Sequence, residues 1–297
     1  MPSEPDTPPA TGKSPGKSAG TTVEEPAGHE PGLLALRWPP NALLSKLIGL
    51  GTVAAILLFW WIATRGATPE ARLISPVILP SPAEVAASAP SLWNERGLLL
   101  SIVATMRRVL IGFGLAVLVC VPLGVAAGSW RVLDAAAAPV ALFGRNIPVA
   151  ALIPLTILWF GIDETQKIAF IFIACAPFIY SDAVRAIVSV PDRYVETAQT
   201  LGASAMQIVW KVLVALALPD IYKSLRSLFG IAFGYIMLAE LINAEHGLGY
   251  LLTTSQRRGL SEHIILILFV IGALAFGIDR FLLWLQRGLF PYRTEAD

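Results

Sequence analysis

The residues able to do chemistry in this chain are the few polar and ionisable ones set inside long apolar runs. Arg145 and Asn146 stand among apolar residues, with Pro148 and Pro154 just after them. Tyr235, Glu240 and Asn243 fall late in another run, and Tyr180, Ser181 and Asp182 late in a third. A charge at the centre of a bilayer-spanning helix costs roughly 2.5–3.5 kcal/mol on insertion scales, so each is a candidate for lining a polar pathway. Each also has a plainer reading. Arg145 can carry its charge along its own stem to the membrane surface, and Glu240 can pair with a cation of its own chain or cap the following turn. The sequence leaves both readings open. Asp182 and Arg185 lie three apart on one helical face, which suits an ordinary ion pair, and Arg107 and Arg108 read as structural.

Other chemistries find no support. His246 and His263, beside Glu245 and Glu262, make no metal-binding spacing, and no Ser/His/Asp or Cys/His arrangement stands out. Cys120 and Cys175 both fall in apolar runs, where they read as small packing residues rather than a disulfide. The segment GKSPGKS at 12–18 twice repeats the end of a phosphate-binding loop. The glycine needed five residues before Gly12 or Gly16 is Thr7 or Thr11, and no strand precedes either. No catalytic residue, metal or cofactor is expected. A net charge of +1 gives no reason to expect a nucleic-acid partner.

What must position the polar residues is a membrane bundle. The chain of 297 residues is 55% hydrophobic and 14% charged, with a mean hydropathy of +0.66. Soluble domains carry about 25% charge. Spanning backbone must satisfy its own hydrogen bonds, so runs of about 20 apolar residues become helices. Six are expected, at 43–64, 98–128, 139–161, 168–187, 219–242 and 263–285, giving an all-α polytopic protein. Residues 1–32, rich in Pro, Gly, Ser and Glu, read as a disordered tail. Residues 33–97 hold the first span and a polar, proline-rich segment with one short surface helix; 98–290 form the core and 291–297 a second tail. Lys and Arg are more numerous on the side of the termini, which places both termini and residues 188–218 in the cytoplasm.

One stretch breaks the pattern. VETAQTLGASAMQIVWKV, 195–212, is polar and helix-friendly between apolar runs. Within it ETAQTLG resembles the EAA signature of ABC-transporter permeases, with Glu196, Ala198 and Gly202 in the motif places and Thr197 where the family has a first Ala. Four further segments share the resemblance: IPVAALIPLTILWFGI (147–162), SVPDRYVETAQTLGAS (189–204), ALPDI (217–221) and GLGYLL (247–252). It covers about 80–290 and is nearest to permeases of importers for nitrate, sulfonate or taurine, and bicarbonate. One departure stands at Val214-Ala215, where the family closes its motif with Leu-Pro; Leu218-Pro219 matches a second Leu-Pro.

The resemblance implies a type I importer fold, two permease copies, two cytoplasmic ABC ATPase subunits and an external solute-binding protein. It implies that Glu196, Ala198, Gly202 and Ala203 belong to a cytoplasmic coupling helix seated in the ATPase. It also implies that the third to fifth spans line the pathway, and a bacterial inner-membrane location. From the residues themselves, Glu196 near a helix start suits the positive end of the dipole. Gly202 can end the helix in a left-handed conformation. Two Gly-xxx-Gly pairs, 124/128 and 230/234, permit close helix packing. A stand-alone secondary transporter or channel is the alternative class.

Overall fold

The computed structural model describes residues 41–66, 72–242 and 244–292; the expected tail 1–32, residues 293–297 of the second tail and Asn243 lie outside them. Among the described residues every regular element is helical: α1 (Ala42–Ala63), α2 (Pro82–Ala87), α3 (Ala89–Asn94), α4 (Leu98–Ser129), α5 (Arg131–Asn146), α6 (Leu152–Phe160), α7 (Glu164–Val188), α8 (Asp192–Thr200), α9 (Ala205–Ile208), α10 (Val214–Glu240), α11 (Leu248–Arg257) and α12 (Ser261–Leu289). The chain divides into two compact units after Ile56. The described part of the first is the start of α1, whose apolar side chains point outward. Everything below concerns the second unit.

Among the described residues five helices are long and apolar enough to cross a membrane, six if a bent pair is counted as one span. That pair corrects the single straight helix expected over 139–161. The helix starts earlier, at Arg131, and breaks after Asn146; the chain then turns by 92° into a short 3-10 turn and α6. Pro148 explains the break. It has no N–H to give to the preceding turn and pushes the residue before it out of the helical region. Ile147 accordingly has φ −72 and ψ 127. The fifth span also starts earlier than expected. One helical run extends from Ala205 through a π-helical stretch, Val209–Leu213, to Glu240, with Pro219 inside it. Two short helices, not one, follow the first span, because Pro82 and Pro90 each open a new one.

The centre of the bundle is the pairing of α4 with α7, and glycines make it. A Cβ on Gly112 would lie 2.8 Å from the Ile168 carbonyl oxygen, one on Gly124 2.6 Å from Ala183 Cβ, and one on Gly128 2.8 Å from Ile187 Cβ. The Gly124/Gly128 pair therefore packs as expected. Gly230 and Gly234 instead face open space. Around this pair Phe170, Ile171, Ile179 and Ile236 are fully buried, and Phe113 meets Phe229 edge to face at 5.3 Å.

Candidate functional site

At one end of the bundle, α8 and α9 form an elbow with almost no buried side chain. Its geometry follows from three motif positions. α8 ends in the left-handed conformation at Gly202, φ 78. The Gly202 N–H donates to Gln199 O at 2.9 Å and the Ala203 N–H to Ala198 O at 3.0 Å. This pair of crossed bonds is the Schellman arrangement, and it ties Ala198, Gly202 and Ala203 into one turn. α9 opens at once with a capping box. The Gln207 N–H donates to Ser204 Oγ, and the Ser204 N–H donates to Gln207 Oε1 at 2.9 Å. Two helix ends thus meet across a few residues with their backbone groups satisfied, which makes the elbow stiff. Its surface shows Tyr194, Leu201, Met206 and Trp210. The helix-dipole reading of Glu196 needs correcting: α8 starts at Asp192, which takes the first-turn place, and Glu196 sits one turn further on, exposed.

The break between α5 and α6 carries Arg145 and Asn146, both exposed. Asn146 Nδ2 donates to Leu142 O at 2.8 Å, and the Arg145 guanidinium lies 5.4 Å from the centre of the Phe178 ring. Beside it a cleft of about 140 Å³ runs between α5 and α7, lined by Asp134, Arg145, Tyr180 and Ser181 among others. The Tyr180 hydroxyl donates to Asp134 Oδ1 at 3.3 Å. Asp182 pairs with Arg185 at 2.9 Å, the ordinary ion pair expected. Tyr235 is half-buried against the core.

Glu240 lies elsewhere, at the end of the bundle opposite the elbow, and realises the pairing alternative. Its carboxylate is wholly buried, with Arg108 beside it at 3% side-chain exposure. Arg108 Nη1 donates to Glu240 Oε1 and to the His246 carbonyl, each at 2.7 Å. Its Nε donates to Glu164 Oε2 at 2.7 Å, and Nη2 donates to Glu164 Oε1. Thr105 Oγ1 donates to the Glu240 carboxylate at 2.8 Å and accepts the Leu248 N–H at 2.9 Å. The Gly249 N–H donates to Glu240 Oε2 at 2.9 Å. The GLGYLL segment explains itself here. A Cβ on Gly247 would stand 2.5 Å from Glu240 Cδ, and one on Gly249 2.7 Å from Glu240 Cβ, so both positions must be bare. One guanidinium therefore knots α4, α7, α10 and the start of α11.

Thr105 and Glu164 carry no sequence signal, nor does a bidentate pair of Arg226 with Asp279 at 2.7 and 3.0 Å; Gly247 and Gly249 stand out only as part of the GLGYLL segment. Arg108 and Glu240 are 132 residues apart, and nothing local announces their meeting. The usable signal was the pair of glycines closely following a buried-type carboxylate. Among the described residues no cluster of His, Cys, Asp or Glu could hold a metal.

Comparison with known proteins decides the family. Residues 120–291, more than half of the chain, match the model of the binding-protein-dependent transport system inner membrane component. The chain belongs to this family. The permease is 32% identical over 270 residues to the taurine transport system permease protein TauC of Escherichia coli (strain K12), covering 89% of this chain and 95% of that one. It is 33% identical over 254 residues to a probable ABC transporter permease protein of Brucella abortus (strain 2308), covering 86% and 96%. The nitrate import permease protein NrtB of Synechococcus elongatus is 31% identical over 202 residues, 67% of this chain and 72% of its own. The fold is shared with a chain of the MetNI methionine ABC transporter in an inward-facing form, at TM-score 0.57 and 22% identity, over 67% of this chain and 97% of that one. The permease is thus a multi-pass membrane subunit of the ABC importer type with the type I fold.

Proposed function

We propose that this permease moves a small anion inward across the bacterial inner membrane, taking it from an external binding protein and drawing its work from cytoplasmic ATPase subunits. The observation that carries the reading is the elbow. A surface helix locked at both turn bonds, yet showing Tyr194, Leu201 and Trp210, is built to be gripped and moved as a unit. The excess of Lys and Arg on its side of the spans supports a cytoplasmic position, with both termini alongside. Glu196, Ala198, Gly202 and Ala203 are then the coupling residues.

The broken third span supports the pathway. Non-helical backbone at membrane depth is tolerated only where protein buries it or water lines it, and Arg145, Asn146 and Pro148 are exposed in the single protomer. A second copy of the permease facing this break encloses a polar route, with Arg145 and Asn146 on its wall and Tyr235 and Asn243 as further candidates. Glu240 acts through the Arg108 knot rather than on the solute. An anionic solute is favoured by Arg145 and by relatives whose names give taurine, bicarbonate and nitrate.

Gly202→Asp tests the elbow. A Cβ there meets nothing within 4 Å, so the cost within the permease is the left-handed strain of about 1–2 kcal/mol, small for a folded bundle. The variant should insert normally but lose co-purification with the ATPase, or lose stimulated ATP hydrolysis and uptake in vesicles supplied with the binding protein. Wild-type association, hydrolysis and uptake would sink the coupling assignment. Uptake with no ATPase present would favour the stand-alone transporter.

A further inference from the structure

Residues 72–80, just before α2, have their polarity inside out. Residues 75–78 form a tight turn, with the Ile78 and Leu79 N–H groups both donating to Ser75 O at 2.9 Å. Turn tips are normally Gly, Asn, Asp or Ser; this one is Pro76-Val77-Ile78. Val77 is 70% exposed, Ile78 76% and neighbouring Leu73 82%. The charge beside them turns the other way. Arg72 folds inward onto Glu84 of α2, Nη2 to Oε1 at 2.9 Å, with only 15% of its side chain exposed. A water-facing loop does the reverse.

Two hydrogen bonds fix the height of this turn. The Ser261 hydroxyl, on the first residue of α12, donates to the Val77 carbonyl. Trp60 Nε1, one turn before the end of α1, donates to the Pro80 carbonyl at 3.0 Å while its ring stacks on Phe269 of α12. Both α1 and α12 qualify as membrane spans. The turn is therefore pinned beside the first turns of the apolar helix α12, next to a Trp, the side chain that membrane interfaces favour. Trp93 of α3 is exposed at the same end of the bundle.

We propose that Leu73, Val77 and Ile78 are seated in the lipid bilayer, so that this segment is a monotopic anchor lying in the interface at the end of the bundle opposite the elbow. Apolar side chains on a backbone held there meet acyl chains, and Arg72, paired with Glu84, turns its charge away from the tip. The tip carries no charged residue. The inference stands whichever way the bundle is oriented and whatever the solute.

The test is spin-label accessibility at Ile78→Cys, with Leu73→Cys as a second site, in Cys120→Ala/Cys175→Ala permease reconstituted in vesicles. Gln256→Cys, on the exposed end of α11, is the water-facing control. The expected result is strong broadening by dissolved oxygen and loss of access to an aqueous nickel chelate at residues 73 and 78, with free nickel access at 256. Nickel access at 73 and 78 equal to that at 256 overturns the proposal. So does nickel access that disappears only when the binding protein is added, which would assign the surface to that protein.

Discussion

Glu240→Gln is the sharpest probe of the Arg108 knot. The change keeps shape but replaces one carboxylate oxygen by an NH₂ group. Every hydrogen bond to the Glu240 carboxylate comes from a donor: Thr105, Arg108 and the Gly249 N–H. Whichever way the amide turns, its NH₂ meets a donor, and one buried donor loses its acceptor. Breaking a buried ion pair by removing one partner costs about 3–5 kcal/mol. At roughly 2–4 °C per kcal/mol for a chain of this size class, that lowers the unfolding midpoint by about 10 °C. Glu164→Gln removes the other carboxylate on Arg108, but Glu164 is 43% exposed and water can replace it. Exposed pairs contribute about 0–1 kcal/mol, so this variant should melt within a few degrees of wild type. Thermal unfolding of both variants in detergent, followed by tryptophan fluorescence, gives the comparison. Equal midpoints for the two would refute the claim that burial of Glu240 makes the knot. The double variant Arg108→Met/Glu240→Met should be less damaged than the sum of its single changes, because neither leaves a lone buried charge.

Gly124→Leu should impair folding and membrane yield, since its side chain meets Ala183 and the Tyr180 carbonyl, whereas Gly230→Leu in a protomer should be tolerated; pulse-chase yield separates them. Arg145→Ala should cut uptake of an anionic solute while leaving ATPase association intact, and Arg145→Lys should keep part of it; normal uptake by the Ala variant returns Arg145 to a surface role. The Arg72 guanidinium, with the Ser81 N–H, holds the Glu84 carboxyl down at about 2 against an ordinary 4.5. Because the folded value is the lower one, its stabilisation is complete above about 4.5 and is lost as pH falls toward 2. Amide exchange over 82–87, corrected for intrinsic rates, should therefore lose protection in that window, and Glu84→Gln should remove the pH dependence.

Much of this was legible because membrane physics makes sequence speak plainly. Length and apolarity point to the spans, the resemblance at Glu196, Ala198 and Gly202 implies a surface helix there, and Gly202 by itself suits the left-handed turn that ends α8. What failed did so for local reasons. The third span was read straight because its apolar content runs unbroken across Ile147-Pro148, while a missing N–H at one residue bends the chain. The fifth span begins before Pro219, the start that the sequence suggests, because α10 accommodates that proline in its first turns. Of the knot only one half shows in the sequence: Glu240 needs a cation, but the other members are side chains of two other helices and backbone groups beside α11, far apart along the chain.

The two ends of the permease are made of different material. At one, Arg108 and Glu240 rivet four elements together; at the other, the elbow touches little but its own continuation into the fifth span. Between them runs the helical stretch Ala205–Glu240, about 54 Å at 1.5 Å per residue. Its lower half packs on α4 and α7 through Val209, Ala217 and Ile221, which cluster with Val125, Ala186 and Ile187; on that length about 5° of lean carries the foot roughly 5 Å and takes this packing with it. The π-helical turn Val209–Leu213 sits at the foot, where a wider, less regular coil gives the stretch an ankle.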